Sequence, residues 1–180
     1  MENTVQKFIV DEKTDFYKVI KLHNFRTTPG VYFDIVPMEL MPPISGIDRV
    51  IHEHNAISPG PVGDVKRPWY MHPGQDDYLI VLYGIRHVDI YRPEYQKVES
   101  FTVGPNFVKK GDKIIFDGPC MLIWPKGVFH RIQSGEEGSA SLNFAIRYDN
   151  FDIKTNFNIY DLNTETGEYR VLREGHLDQK

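Results

Sequence analysis

The stretches Tyr70-Met-His-Pro-Gly-Gln-Asp-Asp77 and Trp124-Pro-Lys-Gly-Val-Phe-His130 decide the fold of this chain. Each places a histidine beside a turn that proline and glycine favour. The runs on either side are rich in β-branched and aromatic residues, which are typical of strands. Two histidines far apart in sequence could therefore meet inside one β-barrel.

The spacing within the first stretch predicts a site. Side chains alternate along a strand, so Tyr70 and His72 share a face. A turn after His72 would bring Asp77 back on the neighbouring antiparallel strand, opposite His72. If His130 faces the same cavity, two imidazoles and a carboxylate come together, and this set suits an open metal site.

The turn pattern of the chain is that of an all-β protein, with 14 Gly and 12 Pro between short apolar runs. The predicted strands are 49–55, 69–72, 77–83, 87–91, 100–103, 113–116, 121–124, 128–133 and 139–148, and a hairpin is predicted from 158–162 and 168–172. The segment 11–21 is compatible with a helical turn or an edge strand. Many short strands at this spacing indicate a sandwich or a jelly-roll barrel.

Composition sets the outer bounds. The chain has 180 residues, 41% hydrophobic and 26% charged, which suits one well-buried core. The net charge of -4 and the scattered 21 Lys and Arg provide no basic surface for nucleic acid. The N-terminus does not resemble a signal peptide and no apolar run could span a bilayer, so we expect a cytoplasmic protein with no membrane partner.

The two stretches resemble the two motifs of the cupin superfamily, whose fold is a double-stranded β-helix or jelly roll. Tyr70, His72, Asp77 and Gly84 match the first motif. Pro125, Gly127 and His130 match the second. The resemblance implies an all-β, single-domain cupin jelly roll over 1–180, with its core at 48–150, extra N-terminal strands in an extension over 1–47, and a C-terminal hairpin within 151–180.

The chain departs from the motif at two ligand positions. Cupin metal sites typically use two histidines and a glutamate from the first motif and a histidine from the second, whereas here Tyr70 replaces a histidine and Asp77 replaces the glutamate. A three-residue site of His72, Asp77 and His130 is the resulting hypothesis, with Gln75 or His54 as a further ligand. The ion would be divalent Fe, Mn, Zn or Ni.

The chain is also similar to the sugar-nucleotide epimerases and isomerases of the cupin superfamily, which often work without metal. In that branch a histidine on the first-motif strand is the general base, which implies His72. The acid tyrosine of that branch is replaced by Asn143, so Tyr70 or Tyr148 would have to substitute for it.

Other residues are candidates for contact with a substrate. Trp69 and Tyr83 could stack on a sugar ring, and Arg67 could hold an acidic group. Tyr70 or Asp76 could transfer protons beside His72. An apolar outward face at 78–82 indicates a homodimer.

Three functions remain open. The first is a metal-dependent enzyme, an oxidoreductase or isomerase, that acts on a small polar metabolite at His72 and His130. The second is a metal-independent sugar-nucleotide epimerase or isomerase with His72 as general base. The third is a non-catalytic cupin that binds a metabolite, and in all three the partner is a small molecule, with a carbohydrate or sugar nucleotide as the candidate.

Overall fold

The computed structural model describes residues 5–179, which form antiparallel β-strands joined by short turns. The strands are β1 (Ile9–Lys13), β2 (Tyr17–Lys21), β3 (His23–Thr28), β4 (Val31–Ile35), β5 (Gly46–His52), β6 (Ile57–Ser58), β7 (Trp69–Met71), β8 (Gln75–Arg92), β9 (Lys97–Gly104), β10 (Phe107–Lys110), β11 (Lys113–Asp117), β12 (Cys120–Trp124), β13 (Phe129–Arg147), β14 (Ile159–Leu162) and β15 (Tyr169–Arg173). Short 3₁₀ turns lie at Gln6–Phe8, Met38–Leu40, Pro93–Tyr95 and Gly175–Asp178. Within the described residues, no helix has the length and apolar character needed to cross a membrane.

Two long strands, β8 and β13, form the frame of the barrel. The first half of β8 pairs with β12 and with the second half of β13, while its second half pairs with β9 and with the first half of β13. The two strands therefore run from one layer of the barrel into the other. This architecture is the all-β jelly roll that the sequence predicts.

Glycines allow the two long strands to bend together. The sequence predicts breaks at Gly84 and at 134–138, but the structure has continuous strands with an irregular register there. Gly84 has φ +65°, and a Cβ atom on it would lie 2.0 Å from the carbonyl oxygen of Gly138. A side chain at Gly84 would push the strands apart, so the turn signals in the sequence are bulges within strands.

The main core lies between the two layers. Leu79 and Val81 from the first half of β8 pack in the same cluster as Val88 and Ile90 from the second half. Such packing requires inward-facing residues from both layers, which is how a sandwich or barrel buries its apolar area.

The outer face of β8 is covered by the chain itself. Tyr78 is buried and packs in a cluster with Val36, Leu40 and Met41. Leu82, further along the strand, is 56% exposed. The apolar outward face that indicated a dimer is therefore partly an intramolecular contact.

Segments near both ends of the described chain join the barrel. The segment 11–21 forms β1 and β2, and β2 pairs with β12 in the main sheet. The predicted C-terminal hairpin is β14 and β15, and β14 pairs with β7. β3 and β4 form a separate two-stranded sheet.

Candidate functional site

A cavity of about 210 Å³ lies inside the barrel and contains the predicted site. His72, Asp77 and His130 line it, and each of the three offers a ligand atom within 4.8 Å of the other two. All three side chains are buried, at 2–6% exposure. The two histidines of the two motifs thus meet in one cavity, as the sequence predicts.

His72 follows directly after β7 and is fixed through both ring nitrogens. Its Nδ1 forms a short hydrogen bond with the carbonyl oxygen of Asn156, and its Nε2 lies 3.2 Å from Oδ2 of Asp77. A carbonyl only accepts, so Nδ1 carries a proton, and Nε2 facing a carboxylate also donates. This arrangement is that of an imidazolium.

Asp77 is held by donors on every side. Its Oδ1 accepts hydrogen bonds of 2.9 Å from Gln75 Nε2 and from Asn143 Nδ2, and its Oδ2 accepts one of 3.1 Å from Trp124 Nε1. Hydrogen bonds to the charged form stabilise a carboxylate. Asp77 is therefore a fixed, ionised group in the cavity wall.

His130, on β13, has a different environment from His72. Its Nδ1 lies 3.3 Å from the carbonyl oxygen of Val128, which assigns the proton to Nδ1. Its Nε2 lies 3.9 Å from Oδ2 of Asp77, beyond hydrogen-bonding distance. Among residues 5–179, no group hydrogen-bonds to the Nε2 lone pair of a neutral His130.

Electrostatics separate the two histidines, whose ring centroids are 4.7 Å apart. Burial lowers the pKa of His72, but the adjacent Asp77 carboxylate outweighs it and raises that pKa above its usual value. Burial, followed by repulsion from His72, lowers the pKa of His130 to about 3. Burial would raise the pKa of Asp77, yet His72 and the hydrogen bonds hold it well below its usual range. One histidine is charged and its neighbour is neutral at pH 7.

Tyr70 completes the histidine end of the cavity. Its ring centroid is 5.9 Å from that of His130 and 6.3 Å from that of His72. Burial raises the pKa of Tyr70, more than the Ser58 hydroxyl lowers it, so the phenol is protonated at neutral pH. Tyr70 also lines a groove with Phe157 and Gly175, and this groove adjoins the cavity.

His72 and Asp77 come together in a different way from the one that the sequence predicts. The sequence predicts that they face each other on paired strands, but β7 pairs with β13 and β14, whereas Asp77 pairs with Trp124 and Ala145. Gly74 explains the difference: a Cβ there would lie 2.7 Å from Phe151 Cα, so the chain at 73–74 packs against a later segment and forms no hairpin. The two residues meet across the cavity.

Asp76 does not reach this cavity. It neighbours Asp77 on β8 and faces the opposite side, as strand alternation requires. There its Oδ1 accepts a hydrogen bond from the backbone N–H of Lys126 at 2.8 Å and its Oδ2 accepts one from Tyr148 at 2.7 Å. Asp76 and Tyr148 are therefore placed away from His72 and His130.

The predicted substrate-contact residues lie outside the cavity wall. Trp69 is buried with Tyr91 and Phe129, on the opposite face of β7 from Tyr70. Tyr83 is 55% exposed because a bulge interrupts the alternation that starts at Asp77. Arg67 donates to Gln133 at 2.7 Å.

Gln75 and His54, the two further candidates for metal ligands, differ in position. Gln75 lines the cavity, but its amide is engaged by Asp77 and by Arg147, 3.3 Å away. His54 is exposed and hydrogen-bonds to the carbonyl oxygen of Glu136. His54 is therefore not placed to be a ligand with His72.

Sequence reasoning missed the residues that the C-terminal segment contributes. Asn156 is fully buried, fixes Nδ1 of His72, and accepts a hydrogen bond from Gly74 N–H. The Phe157 ring lies 5.0 Å from that of His72. The available signal was an apolar Phe157 between two asparagines in the connection between β13 and β14.

The rest of the cavity wall is also polar. Arg86, His52 and Asp48 line it together with Val50. His52 Nδ1 and Asn143 Oδ1 are buried atoms that have no hydrogen-bond partner among the described residues. Burial and the charge of Arg86 lower the pKa of His52 to about 4.

Comparison with known proteins identifies the fold. No protein-family profile matches the chain, and no curated protein matches it. Among solved structures, QdtA, a sugar 3,4-ketoisomerase from Thermoanaerobacterium thermosaccharolyticum in complex with TDP, is similar with a TM-score of 0.55 and 14% identity, over 78% of this chain and 85% of that chain. The dTDP-4-dehydrorhamnose 3,5-epimerase from Bacillus anthracis with TDP and PPi bound has a TM-score of 0.58 and 11% identity, over 78% and 77% of the two chains. NovW, a 4-keto-6-deoxy sugar epimerase from Streptomyces spheroides, has a TM-score of 0.56 and 12% identity, over 79% and 69%. The chain therefore shares its fold with these sugar isomerases and epimerases, and its all-β jelly-roll architecture confirms the predicted fold class.

Proposed function

We propose that this protein is a metal-independent isomerase or epimerase that moves a proton next to the carbonyl group of a nucleotide-linked keto-sugar. The observation that carries the proposal is the pair of buried histidines in one cavity, of which His72 has both nitrogens hydrogen-bonded and His130 has a free Nε2. Proton abstraction beside a carbonyl needs one group that accepts a proton and another that donates one. The similar folds of a 3,4-ketoisomerase and two sugar epimerases support this alternative over the metal-dependent oxidoreductase.

The structure favours a different base from the one that the sequence indicates. Both ring nitrogens of His72 donate hydrogen bonds, so His72 has no free lone pair for a substrate proton. His130 Nε2 is the free acceptor in the cavity. When it takes a proton, the Asp77 carboxylate, 3.9 Å away, offsets part of the repulsion from the positive His72 ring.

Tyr70 is the best-placed acid. Its phenol is protonated and lines the cavity, whereas Tyr148 is hydrogen-bonded to Asp76 on the opposite face of β8. In the proposed step, His130 removes the proton from the carbon beside the carbonyl while Tyr70 protonates the carbonyl oxygen, which yields an enediol or enol. His130 then returns a proton to carbon, and the hydroxyl group of the intermediate returns its proton to Tyr70. These steps give the isomer and restore both side chains.

Solvent exchange tests this function directly. Wild-type protein incubated in D₂O with TDP-4-keto-6-deoxyglucose should incorporate deuterium at the carbon beside the carbonyl, detected by NMR, and EDTA should not prevent it. His130→Gln and Tyr70→Phe should each reduce the rate by roughly 10²-fold or more. Phe25→Ser, on the exposed β3, is the control and should retain the wild-type rate per folded protein. Absence of exchange from a panel of nucleotide-linked keto-sugars would contradict the proposal.

A metal-dependent enzyme is the second candidate, and a specific geometry favours it. Both histidines direct Nδ1 to a backbone carbonyl oxygen. Such a hydrogen bond fixes the ring so that Nε2 can bind a metal, and it is typical of metal-binding histidines. Their Nε2 atoms and Asp77 Oδ2 would then hold a divalent Fe, Mn, Zn or Ni ion that polarises a substrate oxygen. Elemental analysis of protein expressed with supplemented metals tests this candidate, since a stoichiometric metal that His130→Ala and His72→Ala both lose would support it.

The non-catalytic alternative has a distinct outcome in the same experiments. Retention of a metabolite in native mass spectrometry, with no exchange and no bound metal, would favour a protein that only binds its ligand. The cytoplasmic location of the protein remains a prediction.

We also propose that the protein forms a homodimer through the hairpin of β3 and β4. This hairpin forms a sheet separate from the barrel and exposes Phe25, Tyr32 and Phe33 to 57%, 72% and 38%. The rings of Phe25 and Phe33 are neighbours, with centroids 6.0 Å apart, and exposed apolar side chains of this kind mark interaction surfaces.

A further inference from the structure

Arg86 is a buried cation in the wall of the cavity that also holds His72 and His130. It lies on β8 in register with Ser134, on the same inward face as Val88 and Ile90. The residue is 1% exposed and lines the cavity. The buried carboxylate in the same cavity, Asp77, is engaged by His72, Gln75, Asn143 and Trp124.

The guanidinium group is only partly satisfied by the protein. Its Nε donates to Ser139 Oγ at 3.0 Å and its Nη2 donates to the carbonyl oxygen of Val50 at 3.1 Å. Arginine has five N–H donors, so three remain, two on Nη1 and one on Nη2. Within residues 5–179, no carboxylate forms an ion pair with Arg86.

A buried charge without a counter-ion is costly, and proteins usually pair or neutralise it. Burial lowers the pKa of Arg86 to about 10, so the group remains charged at neutral pH. The remaining Nη1 and Nη2 donors form one edge of the guanidinium plane, which matches the two oxygens of a carboxylate. The missing partner is therefore an anion with two coplanar acceptors.

The size of the cavity limits which anion can enter. Its volume of about 210 Å³ is below the roughly 300–1,000 Å³ usual for drug-sized ligands, so it suits a single sugar ring and not a whole nucleotide. Ser134, the register partner of Arg86, lies four residues beyond His130 on β13, which corresponds to about 13 Å of strand. Arg86 and His130 nevertheless line the same cavity, so one ligand in it can face both.

We propose that the sugar held in this cavity carries a carboxylate, as a uronic acid does, and that Arg86 binds this carboxylate while the carbonyl end faces His130. The proposal rests on the proposed function in taking the sugar as the ligand of this cavity. It names the substrate class more narrowly, since an acidic sugar would be preferred over a neutral one such as a 6-deoxy sugar.

Matched ligand pairs test the carboxylate. Binding of UDP-glucuronate and UDP-glucose is measured by calorimetry, together with free glucuronate, glucose and UDP. The acidic member of each pair should bind at least about tenfold more tightly than the neutral one, as expected for a charge-assisted bidentate contact. Equal affinity of UDP-glucuronate and UDP-glucose would overturn the proposal. Arg86-dependent binding of UDP alone would also overturn it, because the diphosphate would then be the anion.

Variants connect the preference to Arg86. Arg86→Gln should abolish the preference for the acidic sugar, and Arg86→Lys should keep part of it, because a point charge remains without the bidentate edge. Arg170→Gln removes an exposed charge that pairs with Asp161 and should leave the preference intact. The unliganded Arg86→Gln protein should melt no more than a few degrees below the wild type. If Arg86→Gln does not fold, the Lys variant decides, and an unchanged preference in it would contradict the bidentate contact.

The outcome is separable from that of the proposed function. Exchange activity on keto-sugars without any acidic preference would leave the isomerase proposal intact and remove the role of Arg86. Acid-selective binding without exchange on any keto-sugar would support the role of Arg86 and contradict the isomerase proposal.

Discussion

Nε2 of His72 lies 3.2 Å from Oδ2 of Asp77, and both side chains are almost completely buried. Each group needs the other in this environment, because an isolated buried charge is unfavourable and a buried pair is tolerated only with good geometry and further hydrogen bonds. Asn156 provides the hydrogen bond for His72, and Asn143 provides one for Asp77. Burial and then repulsion from the positive His72 ring lower the pKa of the neighbouring His130, while Asp77 opposes this shift in part.

Loss of the carboxylate should therefore destabilise the protein. Asp77→Asn leaves the His72 imidazolium without its counter-ion, and breaking a buried pair in this way costs about 3–5 kcal/mol. Asp76→Asn is the matched change on the other face of β8 and should cost about 1 kcal/mol, because it weakens only the hydrogen bonds from Lys126 and Tyr148. Urea unfolding at pH 7 measures both, and equal losses would contradict the ion pair.

Stability should fall as the pH decreases from 6.5 towards 4. The folded pKa of His130 is about 3 against its usual value of 6.5, so below pH 6.5 the unfolded chain binds a proton that the folded chain does not. The stabilisation that comes from a neutral His130 is fully present above pH 6.5. Below pH 6.5, this group alone lowers the free energy of unfolding by up to about 1.4 kcal/mol per pH unit. His52, whose folded pKa is about 4, acts in the same direction. The raised pKa of His72 has the opposite effect, and its contribution is present below pH 6.5 and lost as the pH rises through the folded pKa.

Urea unfolding at half-unit steps between pH 7 and 4 measures this dependence. His130→Gln removes the titrating group, so its stability curve should be flatter than that of the wild type over the same window. Parallel curves for the two proteins would show that His130 is not held neutral in the folded state.

The fold was predictable because its evidence is local. Proline and glycine mark the turns, the apolar runs mark the strands, and the order of the two motif stretches specifies the jelly roll. The long strands were not predictable, since Gly84 and the segment 134–138 have the composition of turns and become bulges only through the close approach of Gly84 to Gly138.

The site was predictable only in part, for a related reason. His72, Asp77 and His130 follow from the motifs, and the structure places them together. The inward position of Tyr83 was inferred from an alternation that the bulge at 81–83 interrupts, so the residue is exposed. Asn156 reaches the cavity through packing between segments distant in sequence, which no local pattern encodes.

The contact between Gly84 and Gly138 should be essential to the frame of the barrel. Gly84→Ala places a Cβ 2.0 Å from the Gly138 carbonyl oxygen at a positive φ, and we expect a loss of about 3 kcal/mol or more. Gly30→Ala has the same backbone strain, with φ +75°, but no atom within 4 Å of the added Cβ, and should cost about 1 kcal/mol. Comparable urea midpoints for the two variants would argue against a close approach of β8 and β13.

The proposed homodimer predicts a concentration-dependent assembly that the β3–β4 hairpin controls. At micromolar concentration, sedimentation velocity should give the mass of two chains for the wild type, because burial of Phe25 and Tyr32 stabilises association by about 25 cal/mol per Å² of apolar area removed from water. The double change Phe25→Ser and Tyr32→Ser should shift the protein to monomer while its circular dichroism spectrum is unchanged, since both side chains are exposed in the single chain. Ile114→Ser is the control: Ile114 is 52% exposed on β11, away from the hairpin, and its loss should leave the dimer intact. A wild type that sediments as a monomer at all concentrations, or a double variant that remains dimeric, would show that this hairpin does not form the interface.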